Sequence, residues 1–408
     1  MKHLNRWVYV IVGVVTLLMA GLIYAWSVMS KTIGASYDWS AASLSLTFTL
    51  VMLFFCVGSL LAGIFSKKIK PRIYLILSAV LFLAGFLTAS GTGSSLVTLY
   101  LGFGALCGLG AGFAYNAVMG TVCAWFPDKQ GLISGILLMG FGLSSFIVGK
   151  VFAAATPPVS GSYAWTGTFR LMGIVIFVVM LICSIFMVRP GEDFHAPEPK
   201  KAKTVREPAC DIGPGQMVKK PSFWLFYIWA IMVSAAGLAL VGQASGIATQ
   251  VGPQVDAGTI ATVVGLISIM NGVGRVLMGA IFDKKGYRFT MVLDMIIFLI
   301  TAGILVLAIR SGSFSLIVVG FVVGGLAYSG VTPIQSALIS DFYGRTYYST
   351  NFSIVVTNLL IGSFASTIAG KLYDMTQSYM STILMMFLVT IVAFVVSIGV
   401  RRPVKEEA

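Results

Sequence analysis

Apolar runs of about 20 residues or more recur twelve times along this chain of 408 residues. A helix of that length matches the hydrocarbon core of a bilayer, which is roughly 30 Å thick. Because 58% of the residues are hydrophobic and only 10% are charged, a soluble fold would expose large apolar patches. The sequence therefore predicts an all-α membrane protein with twelve transmembrane helices. The predicted spans cover residues 7–29, 43–65, 73–92, 97–124, 131–152, 167–188, 222–246, 257–281, 290–309, 313–340, 350–372 and 379–400.

The basic residues predict how the chain is oriented in the membrane. If the loops alternate between two sides, 21 of the 27 lysines and arginines lie on the side of the two termini, and five lie on the other. Cytoplasmic loops carry such an excess, so both termini are expected in the cytoplasm and the protein in the cell membrane. The net charge of +13 is then a signal of topology and of contact with the lipid bilayer, not of nucleic-acid binding. The first run is too long for a signal peptide and is retained as the first span.

An internal repeat divides the twelve spans into two sets of six. The segment Ile64–Lys68 recurs as Ile281–Lys285, and each copy closes the second span of its half. The pair Gly149-Lys150 recurs as Gly370-Lys371, each closing the fifth span. Two six-helix halves around a central cavity are the architecture of major facilitator transporters. The expected domains are an N-terminal half (1–188), a flexible, proline-rich cytoplasmic linker (189–221), a C-terminal half (222–400) and a cytoplasmic tail (401–408).

Short motifs narrow this expectation. The turn Gly279–Arg288 resembles the loop signature of the major facilitator superfamily, although the matching loop 63–72 has Ser66 where an acid is usual. Four further motifs are Tyr24–Ser27, Trp125–Gly131, Pro221–Trp224 and Asn271–Arg275. Through these motifs the chain resembles, from about residue 5 to 400, the oxalate/formate antiporter family, which is related to the monocarboxylate transporters. The resemblance implies exchange or proton symport of small carboxylate anions.

Arg275 is the one charge deep inside an apolar span. A guanidinium near the middle of a bilayer costs several kcal/mol, so such a residue is a functional candidate. Its planar fork can donate two parallel hydrogen bonds to a carboxylate, although an interior arginine can also pair with backbone carbonyls. The resemblance places Arg275 at the position of the family's substrate-carboxylate arginine.

The family's second cation is missing from this sequence. When Asn351–Ser353 is aligned without a gap to the family's Asn-Tyr-Gly, Leu359 stands at the position of its lysine. One arginine balances one carboxylate, and a second carboxylate would remain uncompensated in a low-dielectric site. The sequence therefore favours a monocarboxylate such as formate, lactate, pyruvate or acetate. An oxalate exchanger remains the alternative within the same family.

Several polar side chains could complete a substrate site in an otherwise apolar cavity. Asn271 precedes Arg275 by one helical turn and replaces the acid of the Asp-x-x-x-Arg motif that the resemblance to animal monocarboxylate transporters implies. Packing and positions at the membrane interface are alternative roles for the tyrosines. The other candidates are Tyr24, Tyr115, Gln243, Tyr328 and Asn358.

Charged turns at the cytoplasmic ends of helices are candidates for conformational gating, because they can make different contacts in different transport states. Asp294 lies near one of these turns, and a loop-anchoring ion pair is its expected role rather than a proton relay. The gating candidates are Asp128, Lys129, Asp283, Lys284 and Arg288.

The sequence does not suggest an enzyme. It has two histidines, neither of them in a span, and it lacks metal-ligand spacing and a Gly-rich nucleotide loop, so no metal or cofactor is expected. No disulfide is expected among the five cysteines, four of which lie in apolar runs. A carboxylate sensor and a channel are the other classes considered, and a monomer is expected. Without a titratable group in the central region, substrate exchange is favoured, while proton symport stays open if the acid, a water or Asp294 carries the proton.

Overall fold

The computed structural model describes residues 5–37, 39, 41–91, 93, 95–156, 164–191, 194 and 208–403. These residues form helices and their connecting turns, without a strand, as predicted. Twelve helical segments of this part of the chain are long and apolar enough to cross a membrane, which confirms the predicted number of spans. Many of their outward-facing side chains are large and apolar, as contact with lipid requires, including those of Leu307, Leu388 and Val395.

The chain forms two compact units. The first contains Met1–Asp128, Ile136–Lys201 and Phe352–Val356, and the second contains Lys129–Gly135, Ala202–Asn351 and Thr357–Ala408. The helices up to the linker are α1 (Arg6–Ala20), α2 (Trp26–Tyr37), α3 (Ala41–Ile64), α4 (Pro71–Ser90), α5 (Leu96–Leu99), α6 (Gly108–Val122), α7 (Gln130–Ala155) and α8 (Ala164–Phe186). The later helices are α9 (Pro214–Met217), α10 (Pro221–Val251), α11 (Ala257–Lys285), α12 (Tyr287–Ser311), α13 (Phe314–Tyr328), α14 (Val331–Tyr343), α15 (Tyr348–Val356), α16 (Asn358–Thr376) and α17 (Met380–Gly399).

Glycines allow the helices of the first unit to pack closely. A Cβ atom added at Gly85 would lie 2.7 Å from the carbonyl oxygen of Gly102, and one added at Gly102 would lie 2.6 Å from the backbone nitrogen of Ala89. The backbones of α4 and of the π-helical stretch Tyr100–Cys107 therefore touch directly. Small residues have this role in many membrane bundles. Because the hydrophobic effect does not drive helices together in lipid, association depends on close packing of their backbones, which small residues allow.

The sequence explains where the helices of the second unit begin and end. α10 begins with Pro221 at its first position, where the missing N–H has no intrahelical partner to lose. Asp256 caps α11, and its hydrogen bonds from the side chain and backbone N–H of Thr259 lower the pKa of its carboxyl group. α12 ends at Gly312, whose left-handed conformation (φ 65°) closes the helix at little steric cost.

The tenth span is interrupted in the middle. α13 ends at Tyr328 and α14 begins at Val331, and the backbone N–H of Gly330 lies a long 3.4 Å from the carbonyl oxygen of Ala327. Pro333 has no N–H to donate, and its ring crowds the carbonyl group four residues earlier, at Ser329. The proline therefore accounts for the interruption of the tenth span.

The end of the polar stretch 189–221 is ordered, whereas the sequence suggested a flexible linker. The backbone N–H groups of Ala209 and Ile212 donate to the carbonyl oxygens of Asp341 (2.9 Å) and Tyr343 (3.1 Å) at the end of α14. Asp211 accepts hydrogen bonds from Thr346. Proline content did not reveal this attachment, because it depends on backbone groups of a distant helix.

Candidate functional site

Arg275 lies in α11 of the second unit and is buried, with a relative exposure of 9%. Asn271, one turn earlier on the same helix, is also buried. Glycines bring α11 close to α13 here, since a Cβ added at Gly274 would lie 2.7 Å from the Cβ of Ser329. The structure thus places a guanidinium in a packed interior, the environment expected of a functional cation.

Tyr328 is the candidate on which the charge of Arg275 acts. It ends α13, is partly buried, and its phenol lies within the electrostatic reach of the Arg275 charge. Its ring packs on Gly237 of α10, where any side chain would occupy the same space. Gly237 therefore leaves the space that the ring occupies. The charge of Arg275 acts electrostatically on the phenol of Tyr328.

Gln243 and Asn358 instead hold α10 and α16 together. The Nδ2 group of Asn358 donates to the carbonyl oxygen of Ala230 (3.0 Å) and to the Oγ of Ser234 (2.7 Å), and it is fully buried. The Nε2 group of Gln243 donates to the carbonyl oxygen of Ser366 (3.1 Å). A carboxylate needs donors, and an amide nitrogen has two N–H groups. The two bonds of Asn358 use both of its N–H groups, whereas the bond of Gln243 uses one.

Leu359, the position at which the resemblance implies a second cation, is buried at a relative exposure of 5%. It follows the fully buried Asn358 at the start of α16. An apolar side chain therefore fills an interior position of the second unit, where a lysine would bring a second positive charge.

Two candidates belong to the first unit. Tyr115 of α6 is buried between Phe55 and Phe141, with ring centroids 5.2 Å from each. These contacts fit the packing role that the sequence left open for tyrosines. Tyr24 lies in the 3-10 turn Gly21–Ala25, and its side chain is outside the described residues.

The gating candidate Asp128 makes a charged contact within the first unit. Both of its carboxylate oxygens accept hydrogen bonds from the guanidinium of Arg6, at 2.6 and 3.1 Å. The same guanidinium lies 4.4 Å from the ring centroid of Phe126. The sequence singled out Asp128, but it gave no sign that Arg6 is its partner.

Asp283 caps α7 within the second unit. Its Oδ1 and Oδ2 accept hydrogen bonds from the backbone N–H groups of Gly131 and Leu132, both at 2.8 Å. A carboxylate is stabilised there by the positive end of the helix dipole. Lys284 and Arg288 are exposed, and Lys129 is partly buried. The acid that the superfamily signature implies thus holds the first turn of another helix.

The expectation for Asp294 is wrong. Asp294 is fully buried, and neither of its carboxylate oxygens has a hydrogen-bond partner among the described residues. It lies seven residues into α12, about 10 Å from the start of the helix, and not near the surface. A spacing of three to four residues, shared with Met291 and Phe298, places it on the buried face and could have revealed this.

The comparison with protein families decides which family this fold represents. The profile of the Major Facilitator Superfamily matches residues 8–367 and 238–408, which together cover nearly the whole chain. The chain belongs to the Major Facilitator Superfamily. Membership confirms the predicted fold class and the prediction of a transporter instead of an enzyme, and the protein is a multi-pass membrane protein.

Individual relatives agree with the resemblance seen in the sequence. The chain is 27% identical to the oxalate:formate antiporter of Oxalobacter formigenes over 417 aligned residues, which cover 98% of this chain and 94% of the relative. It is 32% identical to monocarboxylate transporter 9 of Gallus gallus over 31% of this chain and 24% of that protein. It is 33% identical to apicoplast pyruvate carrier 1 of Toxoplasma gondii over 26% of this chain and 19% of the carrier.

Solved structures share the fold. A bacterial homologue of the iron transporter ferroportin in its outward-facing state has a TM-score of 0.73 at 16% identity, covering 97% of this chain and 99% of that one. The proton:xylose symporter XylE has a TM-score of 0.65 at 14% identity, covering 95% of each chain. At these identities the likeness concerns the fold alone.

Proposed function

We propose that this protein transports small monocarboxylates across the cell membrane by alternating access, with Arg275 binding the carboxylate group. The observation that carries the proposal is the buried guanidinium of Arg275 in α11, one turn after the buried Asn271. The relatives named for oxalate, formate, monocarboxylates and pyruvate share a carboxylate as their common chemistry. A guanidinium binds this group through two parallel hydrogen bonds.

The choice of a monocarboxylate rests on Leu359. In a buried site with one cation, the second carboxylate of oxalate would lack a counter-charge, which costs several kcal/mol. The buried apolar side chain at position 359 supplies none. Oxalate exchange is therefore the weaker candidate for this chain.

Counterflow in proteoliposomes tests the transport function. Labelled C1–C4 acids are offered outside vesicles that contain the same unlabelled acid, with the wild type, Arg275→Lys and the control Arg310→Lys. Arg275→Lys keeps the charge but loses the bidentate fork, so binding should weaken by about 1–3 kcal/mol. The exposed Arg310 at the end of α12 should tolerate the change. The absence of counterflow for every acid would refute the proposed function.

Asp283 is proposed to gate transport through its hydrogen bonds to the first turn of α7. Transport states of this superfamily exchange by rocking of helix bundles, and charged contacts at helix ends can set their balance. Asp283→Asn retains one acceptor, whereas Asp283→Ala retains none. Transport rate is expected to fall more in the alanine variant, while the affinity for substrate changes little.

The orientation and assembly remain proposals. The excess of basic residues on one set of loops favours cytoplasmic termini, and we expect the monomer to be the transporting unit. Fusing a reporter that fluoresces only in the cytoplasm to the C-terminus tests the first point. A fusion protein that still transports but does not fluoresce would contradict the cytoplasmic position of the C-terminus.

A further inference from the structure

Asp294 is a buried acid that has no role in the transport function proposed above. Both carboxylate oxygens are buried and have no hydrogen-bond partner in the described part of the chain, and the residue is fully inaccessible to solvent. Burying a carboxylate without a partner costs far more than burying the neutral acid. The protonated form is therefore the one that suits the conformation described here.

The carboxyl group lies against the interruption of the tenth span. A Cβ added at Gly330 would lie 2.6 Å from the Cγ and 3.1 Å from the Oδ2 of Asp294. On another side of the interruption, Ser329 packs against Gly274, the residue before Arg275. The residues between α13 and α14 thus contact both the buried acid and the backbone of the helix that carries the cation.

The interruption is suited to move. Its backbone hydrogen bonds are long, at 3.3 Å from Ser329 to Leu326 and 3.4 Å from Gly330 to Ala327. The first turns of α14 also contain two buried polar atoms without hydrogen-bond partners among the described residues, Thr332 Oγ1 and Gln335 Nε2. Unsatisfied groups in the helix that follows a weakly bonded turn, and in the carboxyl group that packs against that turn, favour a second arrangement in which they find partners or water.

Among the described residues, no ionisable group makes a hydrogen bond to the carboxylate of Asp294. Helices α10, α11, α13, α14 and α17 pack against α12, and α17 has no titratable residue. Tyr227, Asp341 and Tyr343 bond to Thr357, Arg402 and Ser222. The Arg275 charge acts on Tyr328, and Asp283 binds the start of α7. The remaining groups on these helices and on α12 itself are Lys284, Lys285, Tyr287, Arg288 and Arg310.

We propose that Asp294 is the proton-binding site of this transporter, and that it exchanges its proton with water when the turn at Ser329–Gly330 rearranges. This inference rests on the proposed function and names its coupling ion. The proton enters on a carboxylate oxygen of Asp294 from one side of the membrane and returns to water on the other. One monocarboxylate and one proton then cross together with no net charge.

Two transport measurements separate this site from substrate binding. The proteins are the wild type, Asp294→Asn, which imitates the neutral acid, and the control Asp256→Asn at an exposed helix cap. Labelled formate and lactate are the probes. Counterflow at equal pH needs no proton release, so Asp294→Asn should retain it within about threefold of the wild type. Uptake into anion-free vesicles, driven by an inward gradient of about two pH units, should fall by about tenfold or more and lose its sensitivity to a protonophore.

The contradicting outcomes are distinct from a failure of the proposed function. Equal gradient-driven uptake by Asp294→Asn and the wild type would overturn the proton site while leaving transport intact. If the wild type transports neither acid, a measurement without substrate still tests whether Asp294 binds a proton. The melting temperature of the purified protein should fall between about pH 5 and pH 8 in the wild type and in Asp256→Asn, and fall less in Asp294→Asn, because only an acid loses its neutral form. The same fall in all three proteins would overturn the inference.

Discussion

The charges inside the second unit have different surroundings, and these surroundings determine what each can do. Arg275 is buried, and its charge acts electrostatically on the phenol of Tyr328. Asp294 is buried against a glycine and has no hydrogen-bond partner among the described residues. A permanent cation suits an anionic substrate, whereas a carboxyl group can change its charge during transport.

Selectivity at the residue scale is expected to depend on position 359. Leu359→Lys should shift competition for transport from lactate toward oxalate, because the new ammonium group compensates the second carboxylate. Leu359→Met preserves an apolar side chain of similar volume and serves as the control. Competition assays measure the shift. A wild type that already prefers oxalate to both formate and lactate would contradict the single-cation argument.

The sequence was most informative where one residue type has few possible environments. An arginine in an apolar span identified the candidate site, because a cation inside a membrane span has few possible environments. The amides of Gln243 and Asn358 could not be assigned, since the partners of their donors lie more than 100 residues away on another helix. Asp294 was assigned from its nearness to charged loop residues, whereas its position on the buried face of α12 decides its environment.

Helix pairs in this protein depend on glycine where backbones touch. At the contact of α7 with α11 in the second unit, a Cβ added at Gly279 would lie 2.6 Å from the carbonyl carbon of Gly131. Backbone atoms cannot yield as a flexible side chain can. Gly303 of α12 has no atom within 4 Å of an added Cβ, so it offers a matched comparison.

Gly279→Ala is expected to destabilise the protein by about 1–3 kcal/mol, the usual cost of overpacking. Gly303→Ala should be neutral or stabilise by up to about 1 kcal/mol, because alanine favours the helix. Thermal unfolding of the purified variants in detergent measures both. Equal melting temperatures for the two alanine variants would mean that the close approach of α7 and α11 does not contribute to stability.

At the scale of the whole molecule, the chain forms two compact units with the fold of the Major Facilitator Superfamily, and its described residues contain twelve candidate spans. The number of spans followed from hydrophobic length alone, because a helix that crosses the bilayer needs about 20 apolar residues. The repeat of the 64–68 segment at 281–285 indicated two halves. The ordered segment that follows Pro208 and the assignment of Lys129–Gly135 to the second unit depend on tertiary contacts that no local pattern encodes.

Alternating access predicts that locking one state stops transport. Cysteine pairs are introduced, after the five native cysteines have been replaced, at the ends of α6 and α14 that the distribution of basic residues predicts to be cytoplasmic. Crosslinking should block counterflow while binding from the outer side remains detectable, and reduction should restore transport. Single-cysteine variants treated in the same way are the control. Full flux through crosslinked protein would argue for a channel.

The affinity of the purified protein for a labelled monocarboxylate tests the central claim most directly. The acid is the member of a C1–C4 panel that binds the wild type most tightly, and the variants are Arg275→Ala and the control Arg310→Ala. Removing the buried guanidinium should weaken binding by about tenfold or more, on the scale of hydrogen bonds to a charged group, while the exposed arginine should have little effect. Unchanged affinity in Arg275→Ala would contradict the assignment of Arg275 as the carboxylate-binding residue.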